Sequence, residues 1–178
     1  RSDFVSAIGL LNCGVLCAAG EDNVSHNNQQ LPKEYSLNQN YPNLEYIIID
    51  GGSSDDTLDI IKKYENRITF WISEKDNGQS HAINKGLQKS SGDIINWLNS
   101  DDFLEEGALF FIAECFKNQT TNVVAGYSSY VNENGVAIEN MTFRTFINKD
   151  DIFSTLSNTS LNQPSTFFRK QVFDKITP

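Results

Sequence analysis

Positive charge is scarce in this chain. Fourteen Lys and Arg stand against 23 Asp and Glu in 178 residues, a formal net charge of −9. That balance repels a polyphosphate backbone over most of the surface and argues against a nucleic-acid partner. A phosphorylated small molecule can still be held, but only by local means, a bound cation or backbone N–H groups. Cysteine is scarce as well. Cys13, Cys17 and Cys115 are odd in number and lack the paired spacing of a zinc site, so they read as reduced, mostly buried thiols, which suits the cytoplasm. No apolar run reaches the ~20 residues of a membrane span. The stretch from Val5 to Ala19 comes nearest, and Asp3 spoils the basic start that a signal peptide needs. Internal repeats and low-complexity linkers are missing, although residues 20–40 are rich in Asn and Gln. The length suits one domain with a sizeable core.

What is present is an alternation of strand-like and helix-like segments. "LEYIIID" (44–50) is an apolar, β-branched run of the kind that forms an interior parallel strand covered on both faces. It runs into "GGSSDDT", a glycine turn with Ser54 or Asp55 placed to cap a helix that carries Leu58, Ile60 and Ile61 on one side. "RITFWIS" (67–73) predicts a second strand, "HAINKGLQKS" (81–90) a helix, "DIINWLN" (93–99) a third strand, and "EEGALFFIAECFKNQ" (105–119) a helix with Glu105 and Glu106 at its positive end. Such alternation predicts an α/β fold with a largely parallel sheet. Further on, the runs around Asn132 to Gly135 predict a hairpin, and "TFFRKQVFDKI" predicts an amphipathic helix. Near the start, "CGVLCAAGEDN" suits a first strand leading into a loop, and Pro32 breaks any continuous helix after it.

Ligands of open α/β sheets bind at the carboxyl ends of the strands, and two acidic clusters fall at such ends here. Asp50 closes one strand beside Gly51, Gly52 and Ser53; Asn99, Ser100, Asp101 and Asp102 close another. If the two strands are neighbours, the carboxylates face one cleft and need a cation or a donor-rich ligand between them. Hard oxygen ligands suit Mg2+ or Mn2+, which take one or two carboxylates and fill the shell with phosphate oxygens and water. Each cluster also has a plainer reading. Asp101 and Asp102 suit a helix cap in a solvated loop, Asp50 an ordinary turn, and His81 and Lys85 a solvated helix face.

The stretch "SLNQNYPNLEYIIIDGGSSDDTLDIIKKYENRITFWISEKDNGQSHAINKGLQKSSGDIINWLNSDD", followed later by "NQPSTFFRKQVFDKI", resembles the family 2 glycosyltransferases, an inverting group with a GT-A fold. The resemblance implies a Rossmann-like, mixed but mostly parallel sheet flanked by helices, and a single domain that reaches Pro178 before the family's catalytic base. Residues 1–120 would form the nucleotide-sugar-binding half and 121–178 the start of the acceptor half. It implies that Asp50 contacts the nucleotide base with Gly51 and Ser53 beside it, and that Asp76 lies near base and ribose. Asn84, Lys85 and Gly86 match a helix under the donor. Asn99, Ser100 and Asp101 occupy the family's DXD position, with Asn99 in place of the first acid; Asp101 would be the principal ligand of Mn2+ or Mg2+, and Asp102 a second. Asp174 is not promoted to base.

The implied reaction passes a sugar from a nucleotide-diphosphate donor, UDP above all with GDP and dTDP open, to a saccharide or lipid-linked acceptor with inversion. Such acceptors would bring the chain to the inner face of a membrane without spanning it. Two rival enzymes fit less well. A nucleotidyltransferase needs a Gly-rich basic phosphate loop near the first strand, and a dehalogenase-type phosphatase needs a second acid two residues after its nucleophile, where Asp50 has Gly51 and Gly52. A non-catalytic sugar-nucleotide-binding module is the rival from another class.

Overall fold

The computed structural model describes residues 8–16, 39–99, 102–132, 136–140, 162–173 and 175. Strand β1 (Ile8–Leu16) begins earlier than "CGVL" suggests; Pro32 lies outside the described residues. β2 (Glu45–Asp50) leads through the glycine turn into helix α1 (Thr57–Lys63). The Asp55 carboxylate accepts from the Thr57 N–H at 3.0 Å in a turn just ahead of the helix, whereas the N-cap itself is Asp56, whose side chain makes no capping hydrogen bond, so neither Ser54 nor Asp55 is the cap that the sequence proposes. β3 (Phe70–Ser73), α2 (Gln79–Lys89) and β4 (Ile94–Trp97) follow in the expected order.

These strands build one six-stranded sheet in the order β3-β2-β1-β4-β8-β5, with β5 at Val123–Ala125 and β8 at Thr166–Arg169. β1, β2, β3 and β4 are mutually parallel, and β8 runs antiparallel between β4 and β5. The continuous apolar run in β2 is explained by burial on both faces. Tyr46 and Ile48 pack with Ile61 of α1 and with Leu109, Ile112 and Phe116 of helix α3 (Ala108–Phe116), whereas Ile47 and Ile49 pack with Ala82 of α2. Ile94 and Ile95 of β4 divide between the same two faces, as a period of two requires. The result is a sheet between helical layers.

Other boundaries also differ from expectation: β3 starts at Phe70, after a 3-10 turn that takes Arg67. α3 starts at Ala108 because Gly107 takes a left-handed φ of 78°, so Glu105 and Glu106 form a turn ahead of the helix rather than its first residues. "TFFR" is strand β8, and only Lys170–Phe173 is helical, as the short α4. β-Branched and aromatic side chains suit the pleat, and strands waiting on both sides override the helical period. Phe168 stacks on Trp97 of β4 with centroids 5.8 Å apart. The predicted hairpin is present as β6 (Ser129–Val131) and β7 (Ala137–Asn140), closed by a hydrogen bond from the Asn132 N–H to the Val136 carbonyl. Cys115, whose side chain is described, is a free, half-buried thiol. Among the described residues no helix is long and apolar enough to cross a membrane.

Arg169 fastens β8 to the end of α3. Its guanidinium donates to the carbonyls of Phe116 at 3.0 Å, Asn118 at 3.3 Å and Thr121 at 3.0 Å, and lies 5.3 Å from the Phe116 ring centroid. The Phe116 carbonyl is one that the helix end leaves without an intrahelical donor, and those of Asn118 and Thr121 belong to the turn that follows. Arg169→Ala is expected to cost about 2 kcal/mol in urea unfolding, the scale of charge-assisted hydrogen bonds lost with little new burial. A midpoint unchanged from the parent chain would show that water replaces the guanidinium without loss.

Candidate functional site

The strand order fixes where a ligand can enter. The chain lays β2 and β3 on one side of β1 and then crosses to place β4 on the other, so the winding reverses between β1 and β4. Loops leaving the carboxyl ends diverge there and open a crevice. The condition on which the sequence reading rests, that the Asp50 and Asn99 strands are neighbours, is not met. β1 lies between them, which sets the two strand ends about 10 Å apart at the usual spacing. That separation suits groups holding different parts of one extended ligand better than two carboxylates on one ion.

Asp50 ends β2 with no exposed surface, and its carboxylate is saturated from within. Oδ2 accepts from the Gly52 N–H at 3.2 Å, the Ser53 N–H at 2.9 Å and the Ser73 hydroxyl at 2.5 Å; Oδ1 accepts from the Ser53 hydroxyl at 2.5 Å. Asp50 thus ties the turn to the end of β3. Gly52 holds a φ of 93°, and a Cβ there would sit 3.4 Å from the Lys75 nitrogen, so the turn is closely packed against the segment leaving β3. Gly51 and Ser53 keep part of their surface in solvent.

The segment after β3 carries Asp76. Its Oδ1 accepts from the Gly78 N–H at 2.8 Å, while its Oδ2 is buried and has no partner among the described residues. A buried carboxylate oxygen without a donor is costly, and a ligand donor would relieve it. Just beyond, His81 Nδ1 accepts from the Asn77 N–H at 3.0 Å, and Lys85 Nζ lies 2.7 Å from Glu74 with the Lys85 side chain only 18% exposed. The Lys85 ammonium holds the Glu74 carboxyl below the usual carboxylate range, first by hydrogen bonding and then by its charge. Neither His81 nor Lys85 is therefore a simply solvated side chain. Asn84 is exposed, and Gly86 is buried within α2.

At the end of β4, Ser100 and Asp101 lie outside the described residues, whereas Asn99 and Asp102 are described. Asn99 meets Gln79 at the start of α2, Asp102 in its own loop, and Gln163 from the segment that leads into β8. Asn96, fully buried in β4, donates to the carbonyls of Thr166 at 2.8 Å and Pro164 at 3.2 Å and so seats that same segment. Gln79, Asn96 and Gln163 were not among the residues singled out from sequence. Asn96 had a signal, an amide inside an apolar strand; Gln79 and Gln163 had none, because their contacts are between distant segments. Among the described residues no group of three or more His, Cys, Asp or Glu could hold a metal ion. Sites for Mg2+ or Mn2+ that use one or two carboxylates plus substrate phosphates require no such group, and Asp102 offers the hard oxygen they take.

The sequence model described as "Glycosyl transferase family 2" matches residues 34–177. An uncharacterized glycosyltransferase of Haemophilus influenzae is 40% identical over 76 residues, 41% of this chain and 30% of that protein. The poly-beta-1,6-N-acetyl-D-glucosamine synthase of Staphylococcus epidermidis is 31% identical over 103 residues, 56% of this chain and 25% of that protein. The chain thus spans a third or less of the length of these curated relatives. In structure, the 1–349 portion of S. aureus TarS, solved with UDP-GlcNAc, superposes with a TM-score of 0.58 at 20% identity, over 82% of this chain and 42% of that one. The mannosyltransferase PcManGT of Pyrobaculum calidifontis, solved with GDP-Man and Mn2+, gives 0.57 at 16% identity, over 85% and 44%. The sheet and its helical layers are GT-A-like.

Proposed function

The chain belongs to glycosyl transferase family 2, and on that premise we propose that it binds a nucleotide-diphosphate sugar, a UDP-sugar first, at the carboxyl edge of β1 to β4, and carries the donor half of an inverting, metal-dependent transfer to a saccharide or lipid-linked acceptor. One observation carries the reading: the reversal of winding between β1 and β4 gathers the Asp50 turn, Asp76 and the Asn99 to Asp102 loop, three segments distant in sequence, along one edge. Support for the nucleotide sugar comes from TarS with UDP-GlcNAc and PcManGT with GDP-Man and Mn2+.

Each residue then has a task. Asp76 presents its unpartnered Oδ2 to a donor group of base or ribose. The Gly51 to Ser53 turn lies against the base, and Asp50 acts through that turn, since its own oxygens are taken. Lys85, paired with Glu74, and Asn84 support the donor from α2. Ser100 and Asp101 complete the loop, with Asp101 the principal carboxylate for Mn2+ or Mg2+ and Asp102 beside it. A bound ion of that kind supplies Lewis-acid neutralisation of the diphosphate as it leaves. Residues 1–120 serve as the donor half, and the segments after 120 begin the acceptor half.

Calorimetric titration with UDP, GDP and dTDP, in Mn2+ and in EDTA, tests the proposal. One nucleotide is expected to bind in Mn2+, and Asp76→Ala is expected to weaken it about tenfold or more, as one polar contact to a ligand does. Binding of no nucleotide by the folded chain would overturn the donor-site reading. Equal affinity in EDTA would favour a metal-free binding module instead.

A further inference from the structure

The end of β4 is held by an amide that both gives and takes hydrogen bonds. Asn99 Oδ1 accepts from Gln79 Nε2 at 2.8 Å, while Asn99 Nδ2 donates to Asp102 Oδ2 at 3.0 Å and to Gln163 Oε1 at 3.1 Å. Gln163 Nε2 donates to the Trp97 carbonyl. These orientations fix one another. A carboxylate and a carbonyl only accept, so nitrogen must face Asp102 from Asn99 and face Trp97 from Gln163, which leaves the Gln163 oxygen turned to Asn99.

Position 99 therefore needs a side chain that donates and accepts at once. Asn does so; the carboxylate that stands first in the DXD pattern only accepts. Resting on the donor-site reading above, we propose that Asn99 is a positioning residue and not a metal ligand: its amide orients the Asp102 carboxylate and clamps the loop after β4 to Gln163, which lies 64 residues further along the chain. The placement of the Asp102 carboxylate then depends on the segment entering β8. That segment is itself seated on β4 by Asn96.

Asn99→Asp separates a clamp from a ligand, because the two move in opposite directions. An added ligand tightens Mn2+-dependent UDP binding. A broken clamp weakens it, because the new carboxylate faces the Asp102 carboxylate and Gln163 Oε1 and gives neither the hydrogen bond that Asn99 Nδ2 donates. We expect Asn99→Asp and Gln163→Ala each to weaken UDP binding in MnCl2 about tenfold, the size of one coupled contact. Asn99→Ala combined with Gln163→Ala is expected to lose no more than Asn99→Ala alone. Unchanged or tighter binding in Asn99→Asp, or additive losses in the double variant, would overturn the clamp. Should the parent chain bind no nucleotide, the donor-site reading falls, and the clamp is judged by melting in EDTA. There, Asn99→Asp melting below Asn99→Ala, with non-additive losses in the double variant, supports it; additive losses, or Asn99→Asp melting no lower than Asn99→Ala, overturn it.

Discussion

Asp50→Ala is expected to cost about 3–5 kcal/mol, a large share of the 5–15 that holds a typical domain. The carboxylate is fully buried and satisfies two hydroxyls and two backbone N–H groups, from Ser53, Ser73, Gly52 and Ser53 again. Each buried donor stripped of its partner costs about 1–3 kcal/mol, less whatever entering water recovers. Asp50→Asn keeps one acceptor oxygen but points an NH2 at donors, so it should fall between Ala and the parent. Urea unfolding of the three chains measures this order. An Asp50→Ala midpoint equal to the parent would mean that the turn holds itself, leaving Asp50 free to serve a ligand directly.

The second large effect is expected at Asp101. Asp101→Asn removes the charge from the carboxylate proposed to carry the ion. Changes to residues that merely orient a metal ligand already cost about 10–100-fold in metal affinity, so loss of the ligand itself should weaken Mn2+-dependent nucleotide binding by about a hundredfold or more. The melting temperature in EDTA should move little, since the charge is proposed to act through the ion. Retained metal-dependent binding would transfer the ion to Asp102 or to ligands elsewhere, and binding indifferent to both metal and variant would describe a metal-free module.

Much of the fold was legible in the sequence. The apolar runs of β2 and β4 and the turn that starts the helix after Asp55 are local features, and local features print themselves in residue order. "TFFR" misled because its period suited a helix while its partners, β4 and β5, lie far away in sequence. The site was legible in its acids but not in its arrangement. Asp50 and Asn99 could be placed at strand ends, yet nothing in their spacing revealed that β1 would separate them. Nor could Asp50 be told from an open carboxylate, because Ser73, which closes its hydrogen bonding, comes from the next strand. Gln163 stayed hidden for the same reason: a glutamine 64 residues from Asn99 has meaning only once the sheet brings them together.

The location of the donor site is tested most directly by titrating the nitrogen-15-labelled chain with UDP and Mg2+ and following backbone amide resonances. The amides of Gly52, Ser53, Gly78, Gln79, Asn99 and Asp102 are expected to shift together and to saturate at one common affinity, while those of the β6 and β7 hairpin stay in place. Shifts confined to the hairpin, or to the opposite edge around Glu45 and Ser91, would contradict a nucleotide site at the reversal between β1 and β4.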